Sequence, residues 1–343
     1  MTAPETPTTT PVDAVRPAAP AATSARSGPP PARRSSARRA ATPVVLAVAV
    51  TVLLWASAFI GVRAAGHDYE PGSLALGRQL AGSVGLTAIV AVRWLRSGAR
   101  PVLPRGRVLV AVLAWGVGWF SLYNLALNAA EQHLDAGTTA LLVNVAPVLV
   151  AVLAGLLLGE GFPRRLLVGM AAAFAGVAVI AAATSSGERD VVGVALGLAA
   201  AVLYAGAATS QKRLLARVDA LTMTWVGCLA GTVALLPFAP ALAADAGTAP
   251  ASSTWAVVLL GLGPTAVAFT TWGYALSRLS AGRAAATTYL VPPIVVVLSW
   301  LVLAEVPAAV TLAGGALCLA GVAVATLPRR RFGPAPRVPD AGA

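Results

Sequence analysis

Residues 137–160 read GTTALLVNVAPVLVAVLAGLLLGE, and residues 282–305 read GRAAATTYLVPPIVVVLSWLVLAE. Extended to 137–180 against 282–325, the two segments agree at 17 of 44 positions, at a constant offset of 145 and without a gap. Matches of Ala, Val and Leu come cheaply in a chain that is 57% hydrophobic. Gly137/Gly282, Pro147/Pro292, Glu160/Glu305, Gly169/Gly314 and Gly176/Gly321 do not, and they mark a duplication.

The duplicated unit is too apolar for a soluble domain. Only 11% of the 343 residues are charged, against about 25% in an ordinary soluble protein, and the mean hydropathy is +0.78. These numbers exclude a soluble enzyme, a coiled coil and a secreted disulfide module. Ten apolar stretches follow one another, near 44–65, 72–94, 107–128, 135–158, 164–183, 191–212, 220–240, 255–277, 281–304 and 308–327. Each approaches the roughly 20 residues that carry a helix across a bilayer. The expected fold is therefore an all-α integral membrane protein of ten transmembrane helices, with five in 43–184 and five in 190–327.

Charge placement gives the orientation. With the N-terminus inside, every Lys and Arg among the 25 except Arg63, Arg78 and Arg189 falls in a tail or loop on the inner side, as the positive-inside rule requires. The net charge of +12 is thus a topology signal, and nucleic acid is not an expected partner. Five spans per repeat is an odd number, so the second repeat runs upside down relative to the first. Inverted repeats are the architecture of many secondary transporters. Residues 1–42, with eight prolines and six arginines, read as a disordered cytoplasmic tail, and 328–343 as a second basic one. The apolar run after Arg33-Arg34 is long enough to stay as an anchor.

Pro147 and Pro292 fall near the middle of spans 4 and 9. A mid-helix proline removes one backbone hydrogen bond and frees the carbonyl four residues back, here at Val143 and Thr288, with Pro293 freeing Tyr289. Matched breaks in the two halves of a transporter point to its binding site. Asn144, Thr288 and Tyr289 stand beside these breaks as candidate substrate contacts. Trp55, Trp119 and Tyr204 sit too deep for an interfacial belt, and with Tyr123, Asn124, Trp272 and Tyr274 they suggest an amphipathic pocket lining. Arg78 lies about 9 Å into span 2 at 1.5 Å per residue; it meets either an anionic substrate group or Asp68 or Glu70. Glu160 and Glu305 close spans 4 and 9 at the bilayer edges. They fit an anion set against the next helix N-terminus better than a proton-carrying carboxylate. No other buried carboxylate is evident, which leaves uniport or exchange open.

Gly169/Gly176 and Gly314/Gly321 repeat at seven residues and fit close helix packing. Cys228 and Cys318 read as small core residues. His67 and His133 fall in outward loops, and no metal site is expected. There is no GxxxxGK[ST], HExxH or GxSxG, so neither an ATP motor nor a hydrolase has visible machinery.

Trp55-Ala-Ser-Ala-Phe59, the Pro71 to Arg78 stretch, Ala136-Gly137 through Asn144-Val-Ala-Pro147 to Leu158-Gly-Glu160, and Ser280-Ala-Gly282 through Tyr289-Leu-Val-Pro292 to Glu305 together resemble the EamA-type carriers of the drug/metabolite transporter superfamily. The likeness covers 44–327. It departs at Ala304, where the first copy has Gly159. The resemblance implies a ten-helix inverted-repeat bundle without a cofactor that exports amino acids or other small metabolites. The expected partners are a small-molecule substrate and the lipid of a bacterial cytoplasmic membrane, with both termini cytoplasmic and a homodimer left open. A non-transporting sensor or scaffold, and an intramembrane lipid-modifying enzyme, are the rival readings.

Overall fold

In the structure, a computed structural model, residues 32–98, 100–158, 164–184, 188–279 and 287–326 are described. Most of the two expected tails, Glu160, and the start of span 9 lie outside them. Among the described residues the chain is entirely helical: α1 (Ala32–Ala65), α2 (Pro71–Ser97), α3 (Gly106–Gly116), α4 (Tyr123–His133), α5 (Ala136–Val143), α6 (Ala146–Leu158), α7 (Arg164–Thr184), α8 (Glu188–Leu214), α9 (Ala220–Leu235), α10 (Ala239–Thr248), α11 (Ala251–Leu260), α12 (Ala268–Arg278), α13 (Val291–Leu303) and α14 (Ala309–Thr326). Six rods are long and apolar enough to cross a membrane: Pro43–Ala65, Pro71–Ser97, Gly106–His133, Val191–Leu214, Ala220–Thr248 and Ala251–Arg278. Three shorter apolar helices, Ala136–Val150, Thr288–Leu303 and Ala309–Val324, and the apolar α7 bring the described spans to ten, in two five-helix repeats.

Local chemistry sets the ends. Pro71 starts α2, where its missing N–H costs nothing, and Gly98 ends it in the left-handed region at φ 66°. Asp135 caps α5 by accepting from the Thr138 N–H at 2.8 Å, and Asp219 caps α9 by accepting from Thr222 at 3.2 Å. Span 4 is broken: α5 stops at Val143, and Pro147 sits in the first turn of α6, where a proline is tolerated. In span 9 a 3₁₀ turn, Thr288–Leu290, leads into α13, and Pro292 again takes the first turn. Ala304 follows α13 in the left-handed region at φ 56°. Glycine would be at ease there, and glycine is what the first copy carries at 159.

Two further irregularities escape the sequence pattern. Wide π turns interrupt spans 3 and 8 at Val117–Leu122 and Gly261–Val267. They fall at matching places under the same offset of 145. Span 3 also runs further than its apolar stretch, to His133. It does so because Asn124, Asn128 and Glu131, spaced on one helical face, turn inward and are all buried.

The repeats are joined by glycines at close approach. A Cβ at Gly176 would stand 2.5 Å from the Gly314 carbonyl oxygen, and one at Gly321 would stand 2.6 Å from that of Gly169. Since 169 pairs with 321 and 176 with 314, the equivalent helices α7 and α14 run antiparallel, as inversion demands. The same exchange recurs in the other half of the bundle. Gly116 lies against Gly227, and Gly261 against Gly82, and the offset carries one pair onto the other. Small residues at these crossings allow backbone contact where lipid offers no hydrophobic drive.

A central aromatic cavity with one arginine

The breaks in spans 4 and 9 and the π turn in span 3 border one cavity of about 60 Å³, room for only a few waters, and the π turn in span 8 reaches it through Thr265, which holds Arg78. Trp55, Phe59, Arg78, Trp119, Tyr123, Asn144, Pro147, Tyr204, Phe269 and Thr288 line it, with Ala58, Leu127, Ala140, Val143, Ala146 and Val291 between them. The aromatic wall is continuous. Trp119 meets Tyr204 edge-on at 5.4 Å and Phe269 at 5.3 Å. Trp55 meets Phe269 at 5.5 Å, and Tyr123 meets Tyr204 at 6.1 Å. These are favourable offset geometries for rings.

The irregular turns of spans 3, 8 and 9 each have a polar side chain bonded to a backbone carbonyl. Pro264 frees the carbonyl of Leu260, and the Thr265 hydroxyl donates to that oxygen at 3.1 Å. The same hydroxyl accepts from Arg78 Nε at 3.0 Å. A proline in span 8 thereby fixes the guanidinium of span 2. Arg78 is only 4% exposed, and its Nη1, which carries two N–H bonds, has no partner among the described residues, in a side chain that lines the cavity. Pro292 takes the i+4 N–H away from the carbonyl of Thr288, which accepts instead from the Val291 N–H of the 3₁₀ turn and from the Asn144 amide at 3.2 Å. One break is therefore satisfied by the residue that ends the helix at the other.

Of the sequence-predicted residues, Trp55, Arg78, Trp119, Tyr123, Asn144, Tyr204, Thr288 and Pro147 come together on this cavity. Asn124 does not: its amide donates to the carbonyls of Trp119 and Phe120 at 3.0 and 3.2 Å, so it holds the π turn that presents Trp119. Tyr289 turns away to pack in the apolar cluster around Val322 and Ile180. Pro292 is buried at the start of α13 beside Val291, which lines the cavity in its place. Trp272 stands behind Trp55, 5.1 Å between rings, and donates to Gln211 Oε1 at 3.2 Å. The alternative for Arg78, an ion pair with Asp68 or Glu70, is not formed. Asp68 accepts instead from Ser253 at 2.5 Å, and the ion pairs among the described residues are Arg63–Glu305 and Arg93–Asp219. Phe59 and Phe269 are linings that residue-type reasoning passed over. Phe59 was visible as the end of the Trp55–Phe59 motif; Phe269 had no local signal.

Two further cavities neighbour this one among the described residues. Pro147, Tyr204 and Thr288 also line a second small cavity of about 60 Å³, with Gln211, Lys212, Trp272 and Leu276. Lys212 and Leu276 in turn border a wide cavity of about 640 Å³, which Arg93 and Arg278 also line. At the opposite ends of the helices, Arg63 Nε donates to both carboxylate oxygens of Glu305 at 3.0 and 3.3 Å, tying α1 to the turn after α13. Glu305 thus faces a cation from the other repeat, a role that its place beside the next helix did not suggest.

Ten helices in two inverted repeats around a central aromatic-lined cavity define a multi-pass membrane carrier. The chain belongs to the EamA-like transporter family, whose profile matches residues 42–182 and 191–327. It is accordingly a transporter of small molecules and not an enzyme. A probable terminal-alkyne amino-acid exporter of Streptantibioticus cattleyicolor is 39% identical over 290 residues, 84% of this chain and 95% of the relative. An uncharacterized transporter of Bacillus subtilis, YdfC, is 30% identical over 81% of this chain and 89% of its own. The aromatic amino acid exporter YddG of Ancylobacter novellus is 26% identical over 82% of this chain and 96% of its own. One solved crystal structure of a protein 24% identical, covering 85% of this chain and 99% of that one, superposes with a TM-score of 0.58, which shows a shared fold.

Proposed function

We propose that this protein is a secondary carrier in a bacterial cytoplasmic membrane that exports amino acids, favouring apolar and aromatic side chains, by alternating access. The observation that carries the reading is the unpartnered Nη1 of Arg78, the one cation on a mostly aromatic and apolar cavity lining. A carboxylate is the group such a cation takes up, and rings or alkyl chains suit the walls. The names of the two exporter relatives agree with this class.

In this reading Asn144, Tyr204, Trp55 and Trp119 touch the substrate with Arg78, while the breaks at Pro147 and Pro292 let spans 4 and 9 bend. Residues 43–184 and 190–327 are the two moving repeats, and the tails 1–42 and 328–343 are cytoplasmic. The wide cavity beside Arg93, Lys212 and Arg278 is the cytoplasmic mouth, since the basic loops gather there, and the Arg63–Glu305 pair closes the outer face.

The test is efflux from cells preloaded with a labelled amino-acid mixture, comparing cells with the protein, cells without it, and cells with Asn144→Ala. Faster loss of phenylalanine-like or long aliphatic amino acids, dependent on Asn144, is the expected result. Equal loss of every compound in all three would overturn the reading.

A further inference from the structure

A buried acid, absent from the sequence-level expectations, lies at the closed face. Glu131, near the end of α4, is 2% exposed, and neither of its carboxylate oxygens has a hydrogen-bond partner among the described residues. The charged and titratable groups around it come from several elements: Arg63 of α1, Arg78 of α2, Asp135 at the start of α5, Glu305 after α13, and Tyr123 two turns back on its own helix.

Arg63 is the pivot of this group. Its Nη1 donates to the backbone carbonyl of Glu131 at 2.7 Å, while its Nε is engaged by the carboxylate of Glu305. One guanidinium therefore stands between two acids, one from each repeat, and its charge is committed to Glu305. An ionised carboxylate buried without hydrogen bonds is strongly disfavoured, and intramembrane acids of this kind mark proton relays. Leu127 and Tyr123, one and two turns before Glu131, line the central cavity, so the acid lies on the helix that walls the substrate site.

We propose that Glu131 is a proton-binding site that couples substrate export to inward proton flow, by competing with Glu305 for Arg63. The proposal rests on the exporter reading above. In the conformation seen here Glu131 holds a proton and Arg63 pairs with Glu305. When the outer face opens, the Arg63–Glu305 pair parts and Arg63 pairs with the Glu131 carboxylate. A proton from outer water then forms the Glu131 O–H bond and releases Arg63 to Glu305, which closes that face. On the inner side the O–H bond breaks, and the proton passes to water of the central cavity before the substrate-loaded form turns outward. No electron transfer and no further reactant are involved.

Two arms test it on the full-length protein in liposomes. In the first, labelled phenylalanine efflux is followed together with an internal pH dye, with and without an acid exterior. The wild type should move protons inward as phenylalanine leaves, and the acid exterior should speed the efflux. Glu131→Gln, checked for folding by thermal unfolding, should lose both effects, and Glu131→Asp should regain them in part. Phenylalanine efflux without proton movement in the wild type, or proton coupling surviving in Glu131→Gln, overturns the proposal. The second arm needs no substrate. Infrared spectra at neutral pH should show a protonated-carboxyl band in the wild type that is missing in Glu131→Gln. The band should weaken in Glu305→Gln, where Arg63 is free to pair with Glu131. A wild type without the band overturns the proposal. A wild type with the band but without phenylalanine transport keeps the proton site and counts against the amino-acid reading alone.

Discussion

The side-chain amide of Asn144 donates to the backbone carbonyl of Thr288 at 3.2 Å, so the helix break of one repeat is closed by the residue at the break of the other. The two prolines act together: Pro292 takes the i+4 N–H away from the Thr288 carbonyl, the Val291 N–H reaches it through the 3₁₀ turn, and the end of α5 aims an amide at the same oxygen. Replacing Asn144 by Ala should remove the second of two bonds to that carbonyl, at a cost of about 0.5–1.5 kcal/mol. The unfolding temperature in detergent should fall, and transport should drop by at least about tenfold, the equivalent of 1.4 kcal/mol. Unchanged stability and flux would remove the contact from both roles.

Arg78→Lys keeps the charge and loses the forked geometry and the Nε bond to Thr265. It should weaken substrate affinity by about 10- to 100-fold, in line with about 1.5–3 kcal/mol for a hydrogen bond to a charged group. Competition assays give a second check. An amino acid should compete with labelled substrate in the wild type, and the matching amine without a carboxylate should not.

Ala304 holds a left-handed conformation at φ 56°, which costs a non-glycine residue about 1–2 kcal/mol. Ala304→Gly should relieve that strain and offset it partly through a freer unfolded chain. The expected net is a stabilisation of about 0.5–1 kcal/mol, read as a higher midpoint in thermal unfolding. A lower midpoint would mean that the turn before Glu305 relies on the alanine methyl group.

Both native cysteines are buried and free, so they leave a quiet background for thiol labelling. His67 and Ser277 are exposed at opposite ends of the bundle. In intact cells a membrane-impermeant maleimide should label His67→Cys and spare Ser277→Cys until the membrane is opened. The reverse pattern would invert the proposed orientation.

Span number, span order, the duplication and the prolines were legible in the chain because each is a local or periodic property. A run of about 20 apolar residues must cross a bilayer whatever it packs against, and an odd number of crossings per repeat requires inversion. Trp55, Trp119, Tyr123, Tyr204 and Asn144 were legible for a related reason: amphipathic groups deep in lipid-facing sequence need an interior to face. What depended on the third dimension was partnership. Nothing along the chain says that Thr265 will hold Arg78, that Asn124 will hold the turn bearing Trp119 while Tyr289 turns away, or that Gly82 and Gly116 will meet Gly261 and Gly227. Glu131 is the instructive middle case. Its spacing from Asn124 and Asn128 fits one helical face, but it lies past the end of the apolar stretch at 128, beside His133, whose place in the sequence reads as an outward loop. Only packing against α1 and α2 shows that the helix runs on and that this face points inward. Charge, hydropathy and proline content act through the residue itself, whereas a hydrogen bond, an ion pair or a glycine crossing exists only when two distant segments arrive together.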